Sequence, residues 1–408
     1  MEYGLIGAKL GHSHSPRIHR AFASYDYQLV ELGEEELPAF LKARQFKGLN
    51  VTIPYKQTVI PYCDELGETA RRIGSVNTLV VRPDGSLFGD NMDYYGFCYT
   101  ARRAGVDFTG KNVLVLGTGG TSLTAKVAAE DMGAASVRRV SRRGEVNYDN
   151  VYDRRDTQVI VNTTPVGMFP NNGKAAVDLS RFPALEGVVD VVYNPLRTAF
   201  LLQAQALGIP AAGGLPMLVA QAKWACECFT GAVIGEEKLE EVCRAVAADV
   251  TNLVLIGMPG SGKSAVGEAV AQRLGRPFFD ADEEIANRAG MSIPDIFARY
   301  GEEHFRQLES EVLADFGKRS GIVLATGGGA VLFDRNLPLL RQNGRIYRLR
   351  RPVENLDRDG RPLSTSLERL REMEAEREPF YAAAADVTVD NSGPLAETVE
   401  TILADFNR

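Results

Sequence analysis

Residues 257–264 read Gly-Met-Pro-Gly-Ser-Gly-Lys-Ser, and this octapeptide constrains the fold more than any other feature. It follows the apolar run Leu253–Ile256 and precedes a stretch of helical composition that begins near Ala265. A glycine-rich turn between a buried strand and a helix surrounds phosphate with backbone N–H groups, while its lysine and serine reach the outer phosphate oxygens and Mg²⁺. The pattern predicts an ATP site, with candidate residues Gly257, Gly260, Gly262, Lys263 and Ser264.

A second glycine-rich loop, Gly117–Ser122, follows residues 111–116, which are predicted to form a buried strand. A tight turn that leads into a helix suits the pyrophosphate of a dinucleotide. The next strand candidate ends in Ser-Arg-Arg, where an NAD-binding chain carries an acidic residue for the ribose 2′-hydroxyl. Guanidinium groups match a phosphate dianion, which favours NADP, although two solvated surface arginines are the alternative. The candidate residues are Gly117, Gly119, Gly120, Ser141, Arg142 and Arg143.

Length and composition limit the classes of protein that this chain can form. Its 408 residues suffice for two or three domains, and 45% hydrophobic with 24% charged residues is typical of a soluble globular protein. A net charge of −7 argues against a nucleic-acid partner. No apolar run could span a bilayer, the start does not resemble a signal peptide, and the cysteines lack metal-ligand spacing. We therefore expect a cytoplasmic chain with no membrane partner; its oligomeric state is left open.

Short strand-like runs alternate with helical stretches along the first part of the chain, as in a doubly wound parallel α/β sheet. The segment Pro216–Ala248 has helical composition, and Asp249–Asn252 is predicted to be a link before a new β–α series. The predicted strands are Glu2–Ile6, Tyr27–Glu31, Gly48–Ile53, Thr78–Val81, 111–116, Ser136–Val140, Val159–Asn162 and Val188–Val192.

Lys56 and Asp93 are the candidate catalytic pair of the first half. Lys56 ends the segment Asn-Val-Thr-Ile-Pro-Tyr-Lys, and Asp93 lies in Gly-Asp-Asn-Met-Asp. A carboxylate that holds an ammonium group near a reacting oxygen allows proton transfer while a cofactor supplies hydride. Spacing alone does not show that the two segments meet.

Residues 1 to about 248 resemble shikimate dehydrogenases in seven motifs that occur in family order. These are Gly11–Pro16, Asn50–Lys56, Ser75–Thr78, the Asp93 segment, Asn162–Met168, Asp190–Pro195 and Gly213–Ala222. The resemblance implies an NADP-binding Rossmann-like domain and a substrate domain. It also implies Lys56 and Asp93 as catalytic residues, Gly214 beside the cofactor, and substrate contacts from Ser13, Ser15, Thr52, Asn77, Tyr193 and Gln221.

Two positions depart from the family pattern. Met92 stands where the family usually has threonine, which changes the packing beside Asp93. The cofactor motif usually reads Asn-Arg-Thr, whereas this chain has Ser141-Arg142-Arg143.

Candidates for phosphoryl transfer follow the phosphate loop. Asp280 and Asp282 are predicted to share one face of a strand end, with one near the metal and the other accepting a hydroxyl proton; an ordinary polar strand terminus is the alternative. Arg306 and Glu309 lie one helical turn apart, a spacing that allows an ion pair and a carboxylate clamp.

Two glycine-containing segments complete this set. Gly327, Gly328 and Gly329 follow the strand candidate Ile322–Leu324, and a glycine triplet lets a small ring approach the backbone. Arg361 lies in a polar stretch that we expect to be a mobile lid reaching the transferring phosphate.

From Leu253 onward the chain resembles shikimate kinases. The resemblance implies that Asp280 and Ser264 hold Mg²⁺, that Asp282 acts as base, and that Lys263 and Arg361 stabilise the transferred group. It further implies that Arg306, Arg377 and the glycine triplet bind substrate. The family often has another arginine before Arg-Pro-Leu, and Arg358 is the nearby candidate here.

Together the resemblances imply a bifunctional enzyme of the shikimate pathway of aromatic amino acid biosynthesis. It would reduce 3-dehydroshikimate with NADPH and phosphorylate shikimate with Mg-ATP. The expected domains are a substrate domain at 1–93 completed by helices in 215–248, an NADP domain at 94–214, and a P-loop kinase domain with a parallel sheet at 253–408. The alternatives are an NAD-preferring quinate/shikimate dehydrogenase fused to the kinase and a regulator that has lost catalysis.

Overall fold

The computed structural model describes residues 1–11, 13–356 and 366–407. The chain forms two compact units. The first comprises Met1–Asn194 and Thr198–Val246, and the second begins at Ala247 and also includes Pro195–Arg197. The finer domain bounds at residues 93, 214 and 253 remain predictions.

The first unit opens with a mixed sheet in the order β2-β1-β3-β5-β6-β4. β1 pairs in parallel with β2 and β3, whereas β5 runs antiparallel to both β3 and β6. Its strands are β1 (Tyr3–Gly7), β2 (Tyr27–Glu31), β3 (Gly48–Val51), β4 (Glu65–Leu66), β5 (Thr78–Val81) and β6 (Leu87–Asp90). Helices α1 (Ser15–Phe22), α2 (Leu37–Ala43) and α3 (Glu68–Ile73) accompany them.

A second, wholly parallel sheet follows in the order β11-β10-β9-β7-β8. The strand order reverses between β7 and β9, and ligands of such sheets bind beyond the carboxyl ends at this point. The strands are β7 (Asn112–Leu116), β8 (Ser136–Val140), β9 (Val159–Asn162), β10 (Gly187–Asp190) and β11 (Ala211–Ala212). The helices are α4 (Asp93–Arg103), α5 (Gly120–Asp131), α6 (Ala199–Ala206), α7 (Gly214–Thr230) and α8 (Glu236–Val250).

The second unit has its own parallel sheet in the order β13-β14-β12-β15-β16. The strands are β12 (Asn252–Ile256), β13 (Phe278–Asp280), β14 (Val323–Ala325), β15 (Gly344–Arg350) and β16 (Val387–Asp390). The helices are α9 (Lys263–Leu274), α10 (Ala281–Ala289), α11 (Ile293–Gly317), α12 (Asn336–Arg341), α13 (Leu367–Ala384) and α14 (Leu395–Phe406). The central strand β12 is buried throughout, which explains its uninterrupted apolar sequence.

The predicted α/β class is confirmed, and several strands have the predicted bounds. The segment 216–248 contains the predicted helices, which are separated where Gly231 ends α7 in a left-handed conformation with φ 70°. One prediction is wrong in detail. The predicted link before the second β–α series shrinks to Thr251, because α8 continues to Val250 and β12 begins at Asn252. In the described part of the chain, no helix combines the length and apolarity needed to cross a membrane.

Helices α4 and α7 cross closely at Gly96. A Cβ atom placed on Gly96 would lie 2.8 Å from the carbonyl oxygen of Met217 and 3.2 Å from Cβ of Gln221. Backbone of α7 therefore occupies the space that any side chain at this position would need. This close approach brings α4, which begins with Asp93, alongside the helix that carries Gln221.

We expect Gly96→Ala to lower the free energy of unfolding of the first unit by about 1–3 kcal/mol, because the new methyl group overlaps backbone that must shift. Trp224, the single tryptophan, lies in α7, so its fluorescence in a urea titration reports on this unit. Arg102→Ala, at an exposed position of α4, is the control and should change stability by less than about 0.5 kcal/mol. Equal stabilities of the two variants would contradict the packing argument.

Candidate active sites

Lys56 and Asp93 meet in the first unit. The Nζ atom of Lys56 lies 2.5 Å from Oδ2 of Asp93, and the two side chains are only 17% and 12% exposed. Lys56 follows β3 after a short turn, and Asp93 is the first residue of α4. The fold thus joins two segments that are far apart in sequence, in an environment where partial burial strengthens their attraction.

A cavity of about 400 Å³ opens beside this pair. Its wall contains every residue that the sequence assigns to the dehydrogenase substrate. These residues are Ser13, Ser15, Thr52, Lys56, Asn77, Asp93, Tyr193 and Gln221, together with Gly214. The wall also includes Thr121 of the dinucleotide loop, so this loop and the predicted substrate residues face the same space.

Hydrogen bonds within the protein orient several of these polar groups. The hydroxyl of Ser13 donates to Oγ of Ser15 at 3.1 Å and accepts the Ser15 N–H at 3.2 Å. Oδ1 of Asn77 accepts the Met92 N–H at 2.7 Å, which turns the amide nitrogen of Asn77 to other partners. Met92 therefore fixes Asn77 through its backbone, and its own side chain is buried in an apolar cluster.

Sequence reasoning missed some lining residues. Asn50 lines the cavity and accepts a 2.7 Å hydrogen bond from the hydroxyl of Tyr27. It belongs to the same quoted motif as Lys56, which could have identified it. Lys9 also lines the cavity, from the loop between β1 and α1. Its position just after the first strand of the sheet was the available signal.

The dinucleotide loop directly follows β7. Gly117 has φ 120°, and a Cβ atom there would lie 2.6 Å from Oγ1 of Thr163, which follows β9. Gly119 caps α5, and Gly120 begins the helix close to Oγ of Ser75. A helix N-terminus with no side chain in front of it can accept a pyrophosphate. These features fit the cofactor predicted from the sequence.

Arg142 and Arg143 follow β8, which pairs with β7, so they lie at the same sheet edge as Gly117. Both side chains are exposed, and within the described residues neither forms an ion pair. The backbone N–H of Ser141 donates to the carbonyl oxygen of Val146 at 3.1 Å, which closes the turn around them. Two cations at this edge fit the additional phosphate of NADP.

Gly214 lies where the start of α7 packs closely against neighbouring backbone. A Cβ atom at this position would collide with the backbone of Val191 and Val192. The glycine therefore allows the start of α7 to approach the chain that leads to Tyr193, and it lines the substrate cavity. Its assignment to cofactor binding remains a prediction.

Asp190 ends β10 and organises the turn that leads to Tyr193. It accepts hydrogen bonds from Oγ1 of Thr198 at 2.6 Å, from Nδ2 of Asn162 at 2.9 Å and from the Val192 N–H at 3.1 Å. Burial raises the pKa of this carboxyl to about 6, while the three donors oppose the shift.

The phosphate loop of the second unit has the conformation that its glycines permit. Gly260 and Gly262 have φ of 81° and 92°, and α9 begins at Lys263. Nζ of Lys263 donates to the carbonyl oxygens of Gly257 at 3.1 Å and Met258 at 3.0 Å. The ammonium group therefore lies over the loop, beside its backbone N–H groups, as an ATP site requires.

Asp280 and Asp282 do not share a strand face, and this prediction is wrong. Asp280 caps α10 and accepts the Asp282 N–H through Oδ1 at 2.9 Å, whereas Asp282 lies in the first helical turn. An aspartate is a strong N-cap, so the strand ends at Asp280 and does not continue to Asp282. Oδ2 of Asp280 accepts the Ser264 hydroxyl at 2.6 Å.

This pairing supplies oxygen atoms for a magnesium ion. No group of three or more His, Cys, Asp and Glu side chains that could hold a metal ion occurs in residues 1–11, 13–356 and 366–407. Mg²⁺ in nucleotide sites needs only one or two protein oxygens, since phosphates and water complete its shell. Ser264 and Asp280 fit this requirement.

Arg306, Glu309 and Asp282 gather around the glycine triplet. Nη1 of Arg306 lies 3.1 Å from Oε2 of Glu309, which is fully buried. A Cβ atom on Gly327 would lie 2.6 Å from Oε1 of Glu309 and 2.7 Å from Oδ1 of Asp282. Burial raises the pKa of Glu309 to about 7, with Arg306 opposing the shift.

The other two glycines are equally crowded. The guanidinium of Arg306 would meet a Cβ atom on Gly329 at 2.7 Å. Nη1 of Arg377 donates to the carbonyl oxygen of Gly328 at 3.1 Å, and so does the hydroxyl of Tyr381 at 2.5 Å. Two arginines, two carboxylates and bare backbone thus enclose one small polar site. Arg361 and Arg358 lie outside the described residues, so the lid remains a prediction.

The first unit has the fold and loop of dinucleotide-dependent oxidoreductases, and the second those of P-loop kinases. Residues 5–79 match the model of the shikimate dehydrogenase substrate binding domain, and residues 259–407 match the shikimate kinase model. The shikimate dehydrogenase (NADP(+)) of Clostridium perfringens strain 13 is 36% identical over 261 residues, which cover 59% of this chain and 96% of that protein.

Two solved structures are similar to the same part of the chain. A chorismate mutase/shikimate 5-dehydrogenase fusion protein from Clostridium acetobutylicum has a TM-score of 0.57 and 36% identity, covering 60% of this chain and 96% of its own. Shikimate 5-dehydrogenase from Thermus thermophilus, in complex with NADP(H) and shikimate, has a TM-score of 0.54 and 31% identity, covering 60% and 99%.

The chain belongs to the shikimate dehydrogenase family and carries a shikimate kinase domain in its C-terminal part. It is a bifunctional enzyme of the shikimate pathway, with NADP as the cofactor of its first part and ATP with Mg²⁺ for its second. The predicted fusion and cofactors are thereby confirmed. The alternative hypothesis, a regulator that has lost catalysis, is rejected.

The raised pKa of Asp190 predicts a pH-dependent loss of stability. The folded pKa of about 6 lies above the ordinary value of 3.8, so the unfolded chain ionises first as pH rises. We expect the free energy of unfolding to fall between pH 4 and 6, by at most about 3 kcal/mol from this residue. Asp190→Asn should lack this fall in the free energy of unfolding. Urea titrations of the variant and of wild type at each pH measure the difference.

The pH dependence of the wild-type free energy of unfolding does not isolate Asp190, because His19 changes this free energy in the opposite direction. The test therefore uses the difference between wild type and Asp190→Asn at each pH. Burial lowers the pKa of His19 to about 3, so its contribution to stability grows as pH rises toward 6.5. Asp149→Asn, at an exposed position, is the control for loss of one charge. A wild-type-minus-Asp190→Asn difference that does not change between pH 4 and 6 would refute the prediction.

Proposed function

We propose that the first unit reduces 3-dehydroshikimate to shikimate with NADPH and that the second phosphorylates shikimate at its 3-hydroxyl with Mg-ATP. The observation that carries the proposal is the Lys56–Asp93 ion pair on the wall of a cavity that also contains Thr121 of the dinucleotide loop. A proton donor and a hydride donor on one small cavity are the two requirements for reducing a ketone.

In the dehydrogenase site, Lys56 donates a proton to the carbonyl oxygen of the substrate, and Asp93 holds its ammonium group in place. NADPH supplies the hydride when it is bound. The hydroxyls of Ser13 and Ser15 bind the substrate carboxylate. The remaining contacts to the ring are assigned to Thr52, Asn77, Tyr193 and Gln221, all of which line the cavity. Gly117, Gly119 and Gly120 approach the pyrophosphate, while Arg142 and Arg143 bind the 2′-phosphate.

In the kinase site, Asp282 accepts the proton of the 3-hydroxyl. Ser264 and Asp280 hold Mg²⁺, which neutralises charge on the phosphates when it is bound. Lys263 and Arg361 stabilise the transferring group. Arg306 and Arg377 bind the substrate carboxylate beside the glycine triplet. Glu302, 56% exposed and 2.9 Å from Arg306, is the partner that an incoming carboxylate would displace.

A single reaction with 3-dehydroshikimate, NADPH and Mg-ATP tests both halves. Wild type should form shikimate 3-phosphate. Lys56→Ala should lower ketone reduction by about 10²–10⁴-fold, because the proton donor is lost, yet still phosphorylate added shikimate. Lys263→Ala should accumulate shikimate. Chromatography of the three acids measures both results, and each variant's retained activity is the control for folding. Loss of both activities from either change would contradict the assignment of separate sites.

Cofactor choice can be tested at Arg142 and Arg143. We expect the double alanine variant to raise KM for NADPH by about tenfold to a hundredfold, since charge-assisted hydrogen bonds to the 2′-phosphate are lost, with little change for NADH. Arg139→Ala, at an exposed position of β8, is the matched control. A wild type that prefers NADH, or a double variant with unchanged KM for NADPH, would favour the NAD-using quinate/shikimate dehydrogenase instead.

A further inference from the structure

We propose that Lys9 gives the dehydrogenase cavity its net positive charge and selects substrates that carry a carboxylate. The inference rests on the proposed function of this cavity and adds a residue that neither the sequence motifs nor the paired serines supply. Its basis is the position of Lys9 on the cavity wall together with the charges of the other lining residues.

The backbone on both sides of Lys9 is held in place. The N–H of Leu10 donates to Oε1 of Glu31 at 2.7 Å, and the Leu10 side chain is buried at 8% exposure. On the other side, the N–H of Ala8 donates to the carbonyl oxygen of Ile53 at 3.5 Å. These contacts fix the loop after β1 beside the turn that leads to Lys56, so the backbone of Lys9 has a defined position on the cavity wall, and its side chain is exposed.

Charge on the cavity wall comes from three residues, Lys9, Lys56 and Asp93. Lys56 and Asp93 neutralise each other at 2.5 Å. Lys9 has no ion pair in the described part of the chain, so its charge is the one not cancelled on this wall. Burial and nearby Arg17 lower the pKa of His14, which leaves this histidine neutral near pH 7.

Ser13 and Ser15 lie on the same wall as Lys9 and offer neutral hydroxyls. Hydroxyls can orient an anion, yet they supply no net charge to offset its loss of hydration. An ammonium group on a flexible stem supplies this charge without imposing a fixed geometry. Lys9 should therefore strengthen binding of the carboxylate and leave the chemical step at Lys56 unaltered, which separates an effect on KM from an effect on kcat.

The experiment compares wild type, Lys9→Gln and Lys9→Arg with two substrates, 3-dehydroshikimate and its methyl ester, in steady-state NADPH oxidation. We expect Lys9→Gln to raise KM for the acid by about threefold to tenfold with kcat unchanged, and Lys9→Arg to restore most of the loss. The ester lacks the charge, so its KM should not change. Added salt should weaken binding of the acid less in Lys9→Gln than in wild type.

Lys42→Gln removes one positive charge from an exposed position on α2 and is the matched control. Equal KM values for the acid in Lys9→Gln and wild type would overturn the role of Lys9. So would an equal rise for acid and ester, an equal rise in Lys42→Gln, or a fall in kcat alone. A wild type that turns over neither substrate would instead count against the proposed dehydrogenase function.

Discussion

The ion pair between Lys56 and Asp93 is the constraint on which the dehydrogenase half depends. Lys56 comes from the sheet of the substrate-binding region, while Asp93 begins the helix that packs against α7. Their close approach requires that β3, α4 and the Gly96 crossing all be in place. The pair therefore reports on the correct assembly of the unit as well as on its chemistry, because a small shift of either element would separate an ammonium and a carboxylate in a partly buried site.

The candidate sites of the two units are lined by different kinds of polar group. In the first, neutral hydroxyl and amide groups dominate a cavity in which two of the three charges cancel. In the second, Arg306 and Arg377 crowd against bare glycine backbone, with buried Glu309 compensating part of their charge. Under the proposed assignment of substrates, hydroxyl and amide groups would make most contacts to the ring acid in the first site, and guanidinium groups would bind its carboxylate in the second.

Motifs that carry chemistry could be found from the sequence because their residue types are dictated locally. Gly117, Gly260 and Gly262 are such cases, since their positive φ angles exclude most side chains. The contact between Lys56 and Asp93 depends on tertiary packing and was not predictable from spacing. Asp282 was misplaced because the capping preference of Asp280 ended the strand early. Lys9 was missed because a single loop lysine is normally a solvated surface residue.

Asp280 divides its two oxygens between separate tasks. Oδ1 accepts the Asp282 N–H at the start of α10, and Oδ2 accepts the hydroxyl of Ser264. The geometry of the proposed metal ligand is thereby tied to the beginning of a helix that also carries the proposed base. Lengthening this side chain to glutamate would disturb both hydrogen bonds at once, so the helix start and the proposed cation ligand cannot change independently at this residue.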